Sequence, residues 1–275
     1  MRTDHPRTIA LTGASSGIGA AAARALVADG HRVVVIGRDP DRTARIADEL
    51  GMPRFVADLD RLEAVHGLAA DLRREVPDLD TLVNNAGGLV SHRSRTVDGF
   101  ETTLQRNVIA PFVLANALAD VLTAAQDGRM VVTASLAHRF GHVVLDDLDG
   151  ARRPWFGGWR AYGTAKLAAV LLTRQWTQRT GVPAYSYHPG LVATGFGADS
   201  PSMRLMSFAT GGNYGLSPEA GAVGLVRLAG DDVVEERPGT YLDGLNAGTL
   251  SREARDDRVG AELWERLAAV VPGWN

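Results

Sequence analysis

At 275 residues the chain has room for one large α/β domain or two small ones, with a substantial buried core. A net charge of −3 and a pI of about 6.2 give no sign of a nucleic-acid surface or a polybasic membrane patch. The absence of cysteine excludes disulfides, thiolate catalysis and cysteine-ligated metals, and the seven histidines are too scattered to suggest another metal site. Residues 1–7 are polar and lack the apolar stretch of a signal peptide, and no run approaches the ~18 apolar residues of a membrane span. A cytoplasmic location is expected.

In chain order, strand alternates with helix. Thr8 to Thr12 is a short apolar run that ends in Gly13-Ala14-Ser15-Ser16-Gly17-Ile18-Gly19. A helix over 19–29 follows, closed by Gly30. His31 to Ile36 is Val-rich and uninterrupted, as buried parallel strands are. Asp39 and Pro40 read as the N-cap and first residue of a helix running to Leu50. Further strands are expected at 54–57, 81–84, 130–134, 184–187 and 239–242, with helices at 99–126, 160–180, 218–230 and 252–270. Strands alternating with helices of this length predict a parallel sheet covered on both faces. With no internal repeat, low-complexity segment or linker, residues 1–275 read as one domain.

A strand, a glycine turn and a helix N-terminus together make an anion site, because free helix N–H groups and the helix dipole face the turn. Gly13, Gly17 and Gly19 permit a tight bend and the close approach of a pyrophosphate. Gly13 to Gly17 also spell G-x-S-x-G, the nucleophile elbow of α/β hydrolases, which likewise joins a strand to a helix. Only twelve residues precede it, so there is no room for a hydrolase's earlier strands and oxyanion loop. Position favours a cofactor turn.

Tyr162 and Lys166 are four residues apart at the start of a predicted helix, so hydroxyl and ammonium lie on one face. A phenol of reference pKa about 10 holds its proton too tightly for base catalysis near neutrality. A fixed positive charge nearby favours the phenolate and eases proton exchange. Taken alone, the pattern is common and describes a packed tyrosine beside a solvated lysine.

Thr12 to Gly19, Asn84-Asn85-Ala86-Gly87, Asn107, Ser135, Tyr162 with Lys166, and Pro189-Gly190 occur in a telling order. That order and spacing resemble the short-chain dehydrogenase/reductase family over about residues 8–194. Residues 98–101, Ser135 to His138, Tyr162 to Leu167 and His188 to Gly190 are similar to its retinol dehydrogenase and WW-domain oxidoreductase branch. The resemblance implies an α/β, Rossmann-type, doubly wound parallel sheet of about seven strands with helices on both faces. A cofactor half would span about 1–130, and a catalytic and substrate half about 131–275.

The resemblance also implies roles. Tyr162 would give the proton to a carbonyl oxygen, and Ser135 would orient that oxygen. Lys166 would hold the nicotinamide ribose and bias Tyr162, while Asn107 would anchor a water that relays protons to Lys166. Taken singly, Ser135 reads as a strand-end turn residue and Asn107 as a buried helix asparagine bonded to backbone. Cofactor contacts are implied at Gly13, Ser15, Ser16, Gly17, Ile18 and Gly19, at Asp58 and Leu59 by the adenine, and at Asn85, Ala86 and Gly87. Tyr162, Lys166, Pro189, Gly190, Val192 and Thr194 would flank the nicotinamide. His138 and His188 read as scaffold near the site, and Arg152-Arg153 as a solvated loop.

The second strand ends Val35-Ile36-Gly37-Arg38-Asp39. Gly37 leaves the acidic position of NAD-specific sites empty, and Arg38 offers a planar fork suited to a 2′-phosphate. Asp39 is explained as the cap of the helix that Pro40 begins. NADP(H) is therefore the expected cofactor. Aromatic and apolar residues in 152–160 and in 194–216, the family's substrate lid, suit either a bulky apolar carbonyl compound of retinal-like, steroid or aromatic polyketide type or ordinary core or dimer-interface packing. The alternative is a non-catalytic NADP(H)-sensing regulator of the same fold, but such proteins usually lose the Tyr/Lys pair that this chain keeps. The only expected partner is a small-molecule carbonyl or alcohol substrate, apart from a homodimer or homotetramer.

Overall fold

The computed structural model describes residues 5–192 and 215–271. Eight strands form one sheet: β1 (Thr8–Thr12), β2 (Arg32–Gly37), β3 (Arg54–Val56), β4 (Thr81–Asn84), β5 (Arg129–Thr133), β6 (Ala184–His188), β7 (Tyr241–Asp243) and β8 (Asn246–Ala247). Their order is β3-β2-β1-β4-β5-β6-β7-β8, parallel from β3 to β7. The eighth strand, one more than expected, is a two-residue antiparallel return from β7.

Helices α1 (Gly17–Ala28), α2 (Pro40–Leu50) and α3 (Leu62–Glu75) link the first strands. Then come α4 (Ala110–Ala117), α5 (Ala119–Ala124), α6 (Trp159–Thr180), α7 (Pro218–Gly230) and α8 (Asp257–Val270). Strand side chains alternate between faces. Ile9, Leu11, Val33 and Val35 therefore meet Ala22, Leu26, Ile46 and Leu225 of α1, α2 and α7. Ala10, Val34, Leu82 and Val132 meet α3, α4, α6 and α8 on the other side. No helix among the described residues is long and apolar enough to cross a membrane.

The expected helix over 99–126 is not continuous. Gly99 turns at φ +87, and the Glu101 carboxylate caps a single turn, Thr102–Leu104, accepting the N–H groups of Thr103 at 2.7 Å and Leu104 at 2.9 Å. A π-helical turn follows at Gln105–Ile109, and only then α4. Pro111 accounts for the widened turn: it has no N–H for the carbonyl of Asn107, and its ring crowds the carbonyl four residues back. At the C-terminus, the helix expected over 252–270 divides into a 3₁₀ turn, Glu253–Arg255, and α8, which Asp256 caps.

Candidate active site

The carboxyl ends of β1 to β6 open into one cleft of about 850 Å³. At its centre is the turn between β1 and α1. Gly13 and Gly17 have φ of +70 and +52, and a Cβ on Gly19 would lie 2.1 Å from the Gly13 carbonyl oxygen. Only glycine lets α1 start this close to the turn, which directs its free N–H groups at the cleft. Ser15, Ser16 and Ile18 line the same wall.

Polar side chains tie the strand ends together behind the cleft. The Thr12 hydroxyl accepts the main-chain N–H groups of Asn85 and Ala86, both at 3.0 Å, and donates to the Val83 carbonyl at 3.1 Å. Asn85 donates its amide to the Thr12 carbonyl and accepts from the Thr133 hydroxyl at 3.1 Å. The Thr133 carbonyl in turn accepts from Lys166 Nζ at 2.8 Å. One chain of contacts thus registers β1, β4 and β5 against α6. Thr12 and Thr133, at the strand ends, carry this tying role together with Asn85, and the sequence pattern assigns it to neither threonine.

Ser135 follows β5 directly and caps a 3₁₀ helix, Leu136–Phe140, accepting the Ala137 N–H at 3.2 Å. The strand ends at Thr133, one residue before the expected end. A side-chain hydrogen bond joins Ser135 to Tyr162, and Lys166 Nζ lies 5.6 Å from the centre of the Tyr162 ring. Burial pushes the Tyr162 phenol above its ordinary range, with the Ser135 hydrogen bond acting against that rise. Burial draws Lys166 down to about 8. The three side chains that the sequence singled out converge on one wall of the cleft.

Asn107 sits inside the π-helical turn. Its amide donates to the carbonyls of Gly88 at 3.0 Å and Thr103 at 2.9 Å, and its oxygen accepts the Gly88 N–H at 3.0 Å. Both amide hydrogens are thus committed to backbone, so the side-chain nitrogen is not a donor for a relay water. Its main-chain carbonyl lacks the usual helical donor, because Pro111 has no N–H. A Cβ on Gly87 would lie 2.5 Å from Asn107 Oδ1 and 3.4 Å from Lys166 Nζ, so Gly87 lets these side chains approach.

At the opposite end, Gly37, Arg38, Asp39 and Arg42 line the cleft. A Cβ on Gly37 would collide with Thr43 Oγ1 at 2.2 Å, which rules out an acidic side chain there. Asp39 accepts the Arg42 N–H at 2.9 Å, as a cap, and its other oxygen lies 3.8 Å from Arg42 Nε. Arg42 is a second cation that the sequence reading passed over. Asp58 and Leu59 follow β3 on the same wall, with Arg106 held by Asp60 beside them. His188, Pro189, Gly190 and Val192 also line the cleft, and Thr194 lies outside the described residues, as does nearly all of the expected lid at 194–216.

The aromatic stretch before α6 divides in two. Trp155 donates its indole N–H to the Ser91 carbonyl at 2.7 Å and stacks under Arg93, so it holds a loop. Trp159 instead lines the cleft, its ring edge-on to Tyr162 at 6.2 Å. Leu136, Phe140 and Leu191 complete an apolar mouth that was not foreseen. Arg153, expected in a solvated loop, is largely buried and donates to the His142 carbonyl. His138 and His142 have the four-residue spacing of a helical metal pair but diverge, His138 toward the Ser135 carbonyl and His142 toward Glu253.

The family model described as short chain dehydrogenase matches residues 7–147. A protein of Streptomyces sp. (strain C5), provisionally named the daunorubicin C-13 ketoreductase DnrU, is 37% identical over 272 residues, 96% of this chain and 92% of its own. Human retinol dehydrogenase 13 is 31% identical over 280 residues, 96% of this chain and 84% of its own. The crystal structure of an uncharacterised protein from Mycobacterium Paratuberculosis superposes with a TM-score of 0.76 at 26% identity, covering 98% of this chain and 95% of that one. The chain belongs to the short-chain dehydrogenase/reductase family of nicotinamide-dependent oxidoreductases and resembles its retinol dehydrogenase branch.

Proposed function

We propose that the protein is an NADPH-dependent reductase of ketones or aldehydes on bulky apolar substrates, with Ser135, Tyr162, Lys166 and Asn107 as its working residues. The observation that carries this reading is the convergence of Ser135, Tyr162 and Lys166 in the cleft that the glycine turn also lines. The residues fit the cofactor: the turn admits a pyrophosphate, and Arg38 with Arg42 offers two cations where a 2′-phosphate would lie. A reduced nicotinamide, when bound there, supplies the hydride.

The chain's own residues manage the charge and the proton. As negative charge grows on the carbonyl oxygen, the Ser135 hydroxyl donates a hydrogen bond to it and Tyr162 delivers its phenolic proton. The phenolate left behind is compensated by the Lys166 ammonium, which the Thr133 carbonyl holds in place. Asn107 braces Gly88 and offers its main-chain carbonyl to a water that returns a proton through Lys166. Burial of the group strengthens each of these electrostatic contacts.

The apolar mouth formed by Leu136, Phe140, Trp159 and Leu191 supports a large, flat or polycyclic carbonyl compound. The name of the Streptomyces relative, a daunorubicin C-13 ketoreductase, is in keeping with a ketone substrate. The test is NADPH oxidation by the purified protein against a panel of apolar ketones and aldehydes, with Tyr162→Phe in parallel. Turnover is expected from the unaltered protein and none from Tyr162→Phe, which still binds NADPH. Binding of NADPH without turnover of any panel member would instead favour a sensor.

A further inference from the structure

His138 lies three residues beyond Ser135 and is fully buried. Its main-chain N–H reaches the Ser135 carbonyl at 3.0 Å, and its ring Nδ1 reaches the same oxygen at 2.9 Å. A carbonyl only accepts, so Nδ1 carries the proton and Nε2 is left as an acceptor. Burial holds the imidazole below its ordinary pKa, which keeps this neutral form at working pH. The ring is wedged edge-on against Tyr241, with centroids 4.7 Å apart. His138 Nε2, the Tyr241 hydroxyl and Ser186 Oγ are buried with no hydrogen-bond partner among the described residues. Ser186 and Tyr241 are paired across β6 and β7, so their side chains share one face of the sheet.

Such a group of buried polar atoms is costly unless another interaction repays it. A leucine or phenylalanine at 138 would fill the space without leaving an orphaned nitrogen. What the imidazole adds is a second donor on the Ser135 carbonyl. With that carbonyl doubly held, the peptide plane after Ser135 is fixed. With Oγ also taking the Ala137 N–H, the hydroxyl hydrogen has little freedom except toward Tyr162 and the cleft.

We propose that His138 is a positioning residue for carbonyl reduction: its Nδ1–H pins the Ser135 carbonyl and thereby aims the Ser135 hydroxyl at the reacting oxygen. The proposal rests on the reading of Ser135 given above. It assigns no proton transfer to His138, whose ring touches neither Tyr162 nor the expected substrate path.

The test compares His138→Leu, His138→Asn and His138→Gln in the full chain, each with and without Ser135→Ala. Asn places an amide N–H where Nδ1–H was, whereas Gln places one near Nε2. His138→Leu and His138→Gln are expected to lower kcat about tenfold or more, with the KM for NADPH within about twofold, as for a misaimed group. His138→Asn should recover most of the rate. On a Ser135→Ala background none of the three should cost anything further, because the aimed hydroxyl is already gone. Thermal melts record folding separately, and if His138→Leu fails to fold, the Asn and Gln pair decides. Losses that add fully to that of Ser135→Ala, or equal losses in Asn and Gln, overturn the proposal. If Ser135→Ala itself leaves kcat unchanged, the reading of Ser135 fails instead, and the two failures are distinct.

Discussion

Lys166 is buried with desolvation as the sole resolved influence on its proton affinity, which falls to about 8 from 10.5. Between those values the unfolded chain holds the proton more tightly than the folded one. Stability from this group is therefore present above the unfolded pKa and is lost as pH falls through about 8. The free protein carries a destabilising charge at neutral pH that Lys166→Met removes. The expected result is a free protein whose Tm at pH 7 is no lower than that of the parent, with the difference shrinking as pH rises from 8 toward 10 (about the span of the shift). Its reductase activity should fall by at least about a hundredfold, as when a key electrostatic partner is lost. Thermal melts across pH and initial rates check both. The other end of the cleft offers a second residue-scale test. Arg38→Ala and Arg42→Ala should each raise the KM for NADPH about tenfold, one charge-assisted hydrogen bond's worth, and leave NADH nearly unchanged. Steady-state kinetics with both cofactors decides, and equal use of NADH by the parent protein would end the claim of NADPH preference. Arg38 was legible because it stands where the second strand runs out. Arg42 was not, although a signal existed: a residue whose N–H is taken by the cap Asp39 sits in the first turn of α2, at the end that faces anions.

Helix α6 and strands β1, β4 and β6 were readable because long periodic runs and apolar runs declare themselves. Tyr162 and Lys166 needed no tertiary information, since helix geometry alone puts residues four apart on one face. The stretch before α4 defeated that reasoning. Periodicity there is helical throughout, and what breaks the helix is local chemistry: a positive φ at Gly99, a carboxylate cap at Glu101 and a missing N–H at Pro111. The last of these yields a prediction for the element as a whole. Pro111→Ala restores an N–H four residues after Asn107 and allows a regular α-helix. The variant should keep or raise Tm, yet lose kcat several-fold (a proton-relay step misplaced rather than removed) as the Asn107 carbonyl is taken up by the helix. Melting curves and solvent-isotope effects on kcat read the two consequences separately. Strand β8 was missed for a simpler reason: two residues between glycines carry no period at all.

Across the whole molecule, the described residues fall into two populations around one cleft. Tyr162, Lys166 and Asn107 are all less than a tenth exposed and are hydrogen-bonded to backbone or to Ser135. The apolar mouth is different: Phe140 is 81% exposed, Leu191 53%, and Leu136 and Trp159 38% each. Burial of apolar area is what makes a substitution expensive, so changes at Phe140 and Leu191 should cost little stability, on the order of 0.5 kcal/mol, whereas the more buried Leu136, and Trp159 against Tyr162, cost more. A combinatorial library at 140 and 191 is expected to reorder the ranking of ketones by kcat/KM while Tm moves by only a few degrees (about what such a cost shifts in a domain of this size). Library members that lose activity on every substrate in step with Tm would contradict this. On the proposed function, the reacting groups and the groups at the mouth differ in burial rather than in place along the chain, since Leu136 follows Ser135 and Trp159 precedes Tyr162 by three residues. If the proposed reaction holds, a lineage carrying this fold can exchange one carbonyl substrate for another through changes at its exposed mouth, without passing through an unfolded intermediate genotype.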